Sequence, residues 1–143
     1  IHGIERSPAP YFDLEEEMRL HTMLLMLIRK GHINAAHDVS DGGLWTTLVE
    51  MGLPRGLGFD IVTDSEVRPD AFLFGEGQGR VGVTVDQDNE DEFLDLLHAS
   101  RVQMILLGHV TQGKLVVDDE RFAMIEDARR TYEEAIPKAM AEQ

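Results

Sequence analysis

The sequence predicts an α/β (α+β) domain in which a mixed sheet is flanked by helices. Two observations carry this. Segments of helical and strand periodicity alternate through most of the chain, and two strand-like segments stand close together near residue 110, which favours mixed strand directions. The length agrees: 143 residues suit one domain, and 43% apolar with 28% charged residues is the balance of an ordinary globular protein, not of a disordered or collagen-like one.

Residues 1–12, polar and proline-bearing, read as a linker, and residues 13–143 as a single domain cut from a longer chain. Asp13 with Glu16 three residues on is a capping-box arrangement that opens a helix. Leu14, Met18, Leu20, Leu24, Leu25, Leu27 and Ile28 give this helix a wide apolar face, and Gly31 stops it. A short strand over 34–37 follows, then the turn DVSDGG, then a helix over about 44–51. The break GLPRGLG leads into a strand over 59–62, and residues 65–74 read as a turn and a short helix interrupted by Pro69.

Val81, Val83 and Val85 alternate in a strand over 80–85. Asn89 caps a helix that runs to about residue 99, with Phe93, Leu96 and Leu97 at helical spacing. The acidic run DQDNEDEFLD is its solvated start, since carboxylates favour a helix N-terminus. Residues 103–110 and 114–117 read as a pair of strands joined by the turn TQGK. From about 120 to 140 the chain reads as helix until Pro137 disturbs it.

Charge narrows the partners. A formal net charge of −14 repels nucleic acid and anionic membranes, whose binding rests on lysine and arginine neutralising phosphates. The apolar run MLLMLI at 23–28 is far short of the roughly 20 residues of a membrane span, and Arg29 and Lys30 end it. The expected partners therefore include no nucleic acid and no membrane, and the expected location is cytoplasmic. With no cysteine there is no disulfide framework, thiolate metal site or cysteine nucleophile, which is compatible with a reducing cytosol. A phosphorylated ligand would need magnesium or basic groups from elsewhere.

Two phrases carry candidate chemistry. In HDVSDGGL, residues 37–44, a strand ends and a helix begins, and Gly42 and Gly43 leave backbone N–H groups uncovered where a phosphate could approach. The other reading is a serine or aspartate cap on a tight turn. Asp38 and Asp41 would repel a bare phosphate, and a magnesium ion between carboxylate and phosphate removes the conflict. Asp38, at the strand end, is the better metal ligand; Asp41, nearer the helix, is the expected cap.

His37 reads as a polar contact, because no second histidine stands at ligand spacing. Ser40 lacks the GxSxG elbow of a nucleophile, and no catalytic residue is assigned. In FGEGQGRVGV, residues 74–83, glycines allow close approach to a ligand while Glu76 and Gln78 can hydrogen-bond hydroxyls or an amide. A loop with a surface salt bridge is the alternative.

AHDVSDGGL, then LFGEGQGRVGVTV about thirty residues later, then GHV, together resemble the C-terminal domain of the aminoimidazole ribonucleotide synthetase superfamily, most closely the phosphoribosylformylglycinamidine synthase family. The lead-in SPAPYFDLEEE and the ending YEEAIPKAM extend the resemblance over nearly the whole chain. Thiamin-monophosphate kinases carry a phrase like DVSDG, usually with a single glycine, and they and aminoimidazole ribonucleotide synthetase itself remain sister alternatives.

The resemblance implies a synthase in which ATP phosphorylates the amide oxygen of formylglycinamide ribonucleotide and glutamine-derived ammonia displaces phosphate to leave the amidine. It implies ATP/ADP and Mg²⁺ as cofactors, Asp38 as metal ligand, and Ser40, Gly42 and Gly43 at the nucleotide. His37, Glu76, Gly77, Gln78 and Arg80 would face substrate. The implied partners are N-terminal synthetase domains of the same chain and a glutaminase domain or subunit. Two departures stand out. Histidine before the aspartate marks the family's second copy, which holds an auxiliary nucleotide in place of turnover, and Gly77 replaces a loop serine. The isolated 143 residues are expected to be inactive alone, with a non-catalytic scaffold role as the alternative.

Overall fold

The computed structural model describes residues 11–141. Helix α1, Leu14–Lys30, is capped by the Asp13 carboxylate, which accepts from the N–H groups of Glu15 and Glu16, and it ends on Gly31 in the left-handed conformation. Strand β1, Ala35–Asp38, leads through the acidic turn to α2, Gly43–Gly52. A 3₁₀ turn, Leu53–Arg55, precedes β2, Gly58–Ile61.

The short α3, Pro69–Phe74, has Pro69 at its first position, so this proline starts the helix and does not interrupt it; its missing N–H is one the first turn leaves unbonded anyway. Strand β3, Val81–Thr84, is followed by a 3₁₀ turn, Gln87–Asn89, and by α4, Glu90–Ser100. Asn89 is the residue before α4, without a side-chain capping bond, and Glu90, Asp91 and Glu92 fill the first turn. The chain closes with β4 (Gly108–Thr111), β5 (Lys114–Val117), β6 (Glu120–Met124) and α5 (Ile125–Ala141).

The strands divide between two sheets. β1 pairs antiparallel with β3, Ala36 opposite Val83 and Asp38 opposite Val81. The other sheet has the order β4-β2-β5-β6, in which β2 and β5 are parallel and both outer pairs antiparallel. Mixed direction is thus as expected, but three local readings are corrected. β4 and β5 do not pair; β2 lies between them, because Phe59 and Ile61 bring a buried apolar edge to both neighbours. Residues 102–107 are irregular ahead of the four-residue β4. Residues 120–124 form β6 after a tight turn in which Asp118 and Asp119 take positive φ, and α5 then runs through Pro137 to Ala141.

Burial follows the two sheets. One cluster joins Leu44 and Val49 of α2, Phe72 and Leu73 of α3, and Phe59, Ile61, Leu115 and Val117 of the larger sheet, with Ile125 beneath. Leu115 is fully buried, and Trp45 lies edge-on to Phe59 and Phe122. The second cluster holds Met23 and Leu27 of α1 against Phe93 and Leu97 of α4, with Val83 and Val85 packed on it. The β1–β3 ribbon lies between them. Gly82 turns a bare backbone toward α2, where an added Cβ would lie 3.3 Å from Met51 Sδ and 3.5 Å from Thr47 Cγ2.

Candidate functional site

The two glycine-acid phrases meet. Residues 38–41 from the β1–α2 turn and 76–81 from the α3–β3 loop line one open cleft of about 350 Å³, and Glu17, Leu20 and His21 of α1 form its third wall. The pairing of Asp38 with Val81 places the two loops side by side, since each begins where the ribbon ends. Val39 N–H donates to Arg80 C=O at 2.9 Å and extends the pairing by one rung.

One bond ties the phrases directly: Gly42 N–H donates to Glu76 Oε1 at 2.9 Å, across 34 residues. The residue preceding α2 is therefore Gly42, at φ +84°, with no capping side chain of its own. Asp41, the expected cap, does not cap; the Glu76 carboxylate of the other loop instead accepts from the N–H of Gly42 itself, just ahead of the positive end of α2. Gly43 N–H donates to Ser40 C=O at 3.0 Å. A Cβ on Gly43 would come 2.6 Å from Phe74 Cα, so only glycine lets α2 start this close to the end of α3.

Asp38 carries an exposed carboxylate at the cleft and a carbonyl held from behind. That carbonyl accepts from His37 Nδ1 at 2.7 Å and from the hydroxyl of buried Thr47 at 3.0 Å. His37 Nε2 faces Glu50 Oε2 at 3.2 Å. His37 thus bridges α2 and the strand end and is absent from the cleft lining, whereas Asp38, Ser40, Glu76, Gly77, Gln78 and Arg80 line it. Arg80 donates to the carbonyls of Gly75 at 2.9 Å and Phe72 at 3.4 Å, closing the C-terminal end of α3. Burial pushes its guanidinium below the usual range.

Sequence reasoning did not find Glu17, His21 or Glu50. Glu17 and His21 sit one turn apart on α1, at 3.6 Å, with the glutamate side chain 13% exposed. Glycine spacing was the only signal available: a Cβ on Gly79, at φ +70°, would run into the Glu17 carboxylate. Carboxylates dominate the cleft through Glu17, Asp38, Asp41 and Glu76. Among the described residues no group of three or more His, Cys, Asp or Glu is arranged to hold a metal ion. Asp38 by itself suits magnesium, which takes one or two carboxylates and completes its shell with phosphate oxygens and water.

Fold and site together define an α/β domain that presents two glycine-acid loops at one cleft, and comparison with known proteins gives it a family. The chain belongs to the family described as AIR synthase related protein, C-terminal domain, which matches residues 3–120. It is 33% identical over 145 residues to the phosphoribosylformylglycinamidine synthase subunit PurL of Moorella thermoacetica, covering 99% of this chain and 20% of the relative. With the same subunit of Salinibacter ruber it shares 40% over 147 residues, 98% of this chain and 19% of the relative. The chain therefore spans about a fifth of the length of these relatives.

Among solved structures, T. maritima PurL complexed with FGAR superposes with a TM-score of 0.69 at 15% identity, over 87% of this chain and 23% of that one. The protein tt0281 from Thermus thermophilus gives 0.59 at 19% identity, over 71% of this chain and 36% of that one. These two likenesses establish the fold. No described helix is long and apolar enough to cross a membrane.

Proposed function

We propose that this chain is a domain of a phosphoribosylformylglycinamidine synthase, an ATP-dependent, amidine-forming carbon–nitrogen ligase of purine biosynthesis, and that its cleft is one wall of a magnesium–nucleotide or ribonucleotide site. One observation carries the reading: the phrases HDVSDGG and GEGQGR, far apart in sequence, converge on one cleft and are tied by the Gly42–Glu76 bond. The names of the relatives and the family membership support it. T. maritima PurL has been solved with ATP and with ADP, which supports a nucleotide as ligand class.

In this reading Asp38 holds Mg²⁺, which when bound offsets phosphate charge beside the acidic turn. Thr47 and His37 hold the Asp38 backbone, so that its carboxylate meets the ion from a fixed strand end. Ser40 faces the nucleotide from the cleft wall, while Gly42 and Gly43 lie behind it; Glu76 must yield the Gly42 N–H, and the Ser40 carbonyl the Gly43 N–H, if a phosphate is to take either. Gly77 and Gln78 offer backbone and amide groups to substrate, while Arg80 acts by shaping the loop. The positive charge a triphosphate needs comes from N-terminal synthetase domains, and ammonia from a glutaminase partner; T. maritima PurLQS is a solved assembly of that kind of protein. Histidine before Asp38, the mark of the family's second copy, favours an auxiliary nucleotide over turnover here.

Calorimetric titration of the chain with ADP, with and without Mg²⁺ and with Asp38→Ala as control, tests the assignment. Magnesium-dependent heat that disappears in the variant is expected. Binding indifferent to both magnesium and Asp38 would refute the metal role.

A further inference from the structure

We infer that Glu50 is a positioning residue: from outside the cleft it sets the orientation of the His37 ring, and through that ring it fixes Asp38, a role that rests on the proposed magnesium site. The Asp38 carbonyl accepts twice, from His37 Nδ1 at 2.7 Å and from the Thr47 hydroxyl at 3.0 Å. A carbonyl only accepts, so Nδ1 carries a proton. The same nitrogen stands 3.5 Å from Asp38 Oδ1, which sets the ring against both the backbone and the carboxylate that meets the ion. An imidazole turned over about its last side-chain bond keeps its shape but exchanges Nδ1 with a carbon. Only one of the two orientations donates to Asp38.

Glu50 makes that choice. Its Oε2 lies 3.2 Å from His37 Nε2, and in the turned-over ring a carbon would face it instead. Whichever of the two groups supplies the proton between them, the contact is a hydrogen bond in one orientation and is lost in the other. Thr47 and Glu50 stand one turn apart on α2, so one helix face reaches Asp38 twice, directly and through the ring. The room comes from β3: Gly82 is directly opposite His37 in the ladder and brings no side chain against the ring. The side chains of His37 and Glu50 are 32% and 30% exposed, and neither residue lines the cleft. A pair this open to water adds little to stability. Groups that orient a metal's ligands matter far more to the metal, typically about 10–100-fold in affinity.

Glu50→Met keeps the length of the side chain and removes its oxygens, whereas Glu50→Gln keeps a group that bonds Nε2 from either side of the proton. Titrated with ADP, Glu50→Met should bind about tenfold more weakly with Mg²⁺ and unchanged without it, its melting temperature within about 3 °C of the parent chain. Glu50→Gln should recover most of the loss. In a His37→Ala background Glu50→Met should cost nothing further. No loss, equal losses with and without Mg²⁺, no recovery in Glu50→Gln, or additive losses in the double variant would each overturn the role of Glu50. Nitrogen-15 spectra of the His37 ring read its orientation with no ligand present: a slowly exchanging Nδ1 proton is expected in the parent and in Glu50→Gln, and its loss in Glu50→Met. A parent chain without magnesium-dependent heat removes the metal site itself, whereas a ring proton indifferent to Glu50→Met removes the role of Glu50 alone.

Discussion

Replacing Gly43 by alanine probes the step that joins the two motifs. The residue sits at φ +70°, and an added Cβ would lie 2.6 Å from Phe74 Cα and carbonyl carbon and 2.8 Å from Leu73 O. All three are backbone atoms, so no rotamer change relieves the contact. The left-handed conformation costs alanine about 1–2 kcal/mol, and overpacking against fixed atoms adds about 1–3 kcal/mol. The expected loss is therefore about 2–5 kcal/mol, a large part of the roughly 5–15 kcal/mol that holds a domain together.

Urea unfolding followed by fluorescence of Trp45, the chain's one tryptophan and a residue of α2, reads the effect where it arises. The midpoint should fall by roughly 1–3 M. Gly77→Ala is the control: its φ is not in the left-handed region, and its nearest contact is the flexible Arg80 Cδ at 3.6 Å, so no change above about 0.5 kcal/mol is expected. Equal midpoints for the two variants would refute the close approach of α2 to α3.

Thr47→Val should cost about 1–3 kcal/mol in the same urea assay, because the buried hydroxyl is a partner of the Asp38 carbonyl. Arg80→Lys should fail to rescue the stability lost in Arg80→Ala, since a point-like ammonium cannot reach both the Phe72 and Gly75 carbonyls; thermal melts of the pair compare them. Bonds from the Thr63 backbone N–H and then its hydroxyl hold Asp118 below the usual carboxylate range. A depressed folded value means stability present above the unfolded carboxylate pKa and lost as pH falls through the folded one. Melting temperature should accordingly drop on acidification by less in Asp118→Asn than in the parent chain.

Signals in the sequence are legible where the physics is local. Asp13 and Gly31 bracket α1, and the glycine pair marks the start of α2, because caps and turns act over three or four residues. The expected β4–β5 hairpin fails for the opposite reason. TQGK is a genuine turn, with Thr111 Oγ1 donating to Lys114 O at 2.6 Å, but the strands beside it choose β2, some fifty residues earlier, as their common partner. β6 is hidden because ERFAM runs without a break into helix-forming sequence, and the turn before it rests on two aspartates at positive φ where a glycine would have signalled it. At the site, both motif walls are legible from their glycines and acids. Glu17, His21 and Glu50 lie at ordinary positions of amphipathic helices, and only the packing of α1 and α2 on the ribbon brings them there.

The β1–β3 ribbon lies against α2 at Gly82 and carries Val83 into the α1–α4 cluster, and the cleft opens where the ribbon ends. It behaves as a shared wall between two rooms. Asp38 is anchored through Thr47, and Ser40 through the Gly43 N–H, to the α2 side, while Glu17 and His21 ride on α1 and so on the α4 side. A methylene lost at Leu27 or Val49, neither of them a lining residue, would displace one bank of the cleft against the other. Interior substitutions in this domain are thus also adjustments of ligand distance, and a screen confined to the two motifs would miss them.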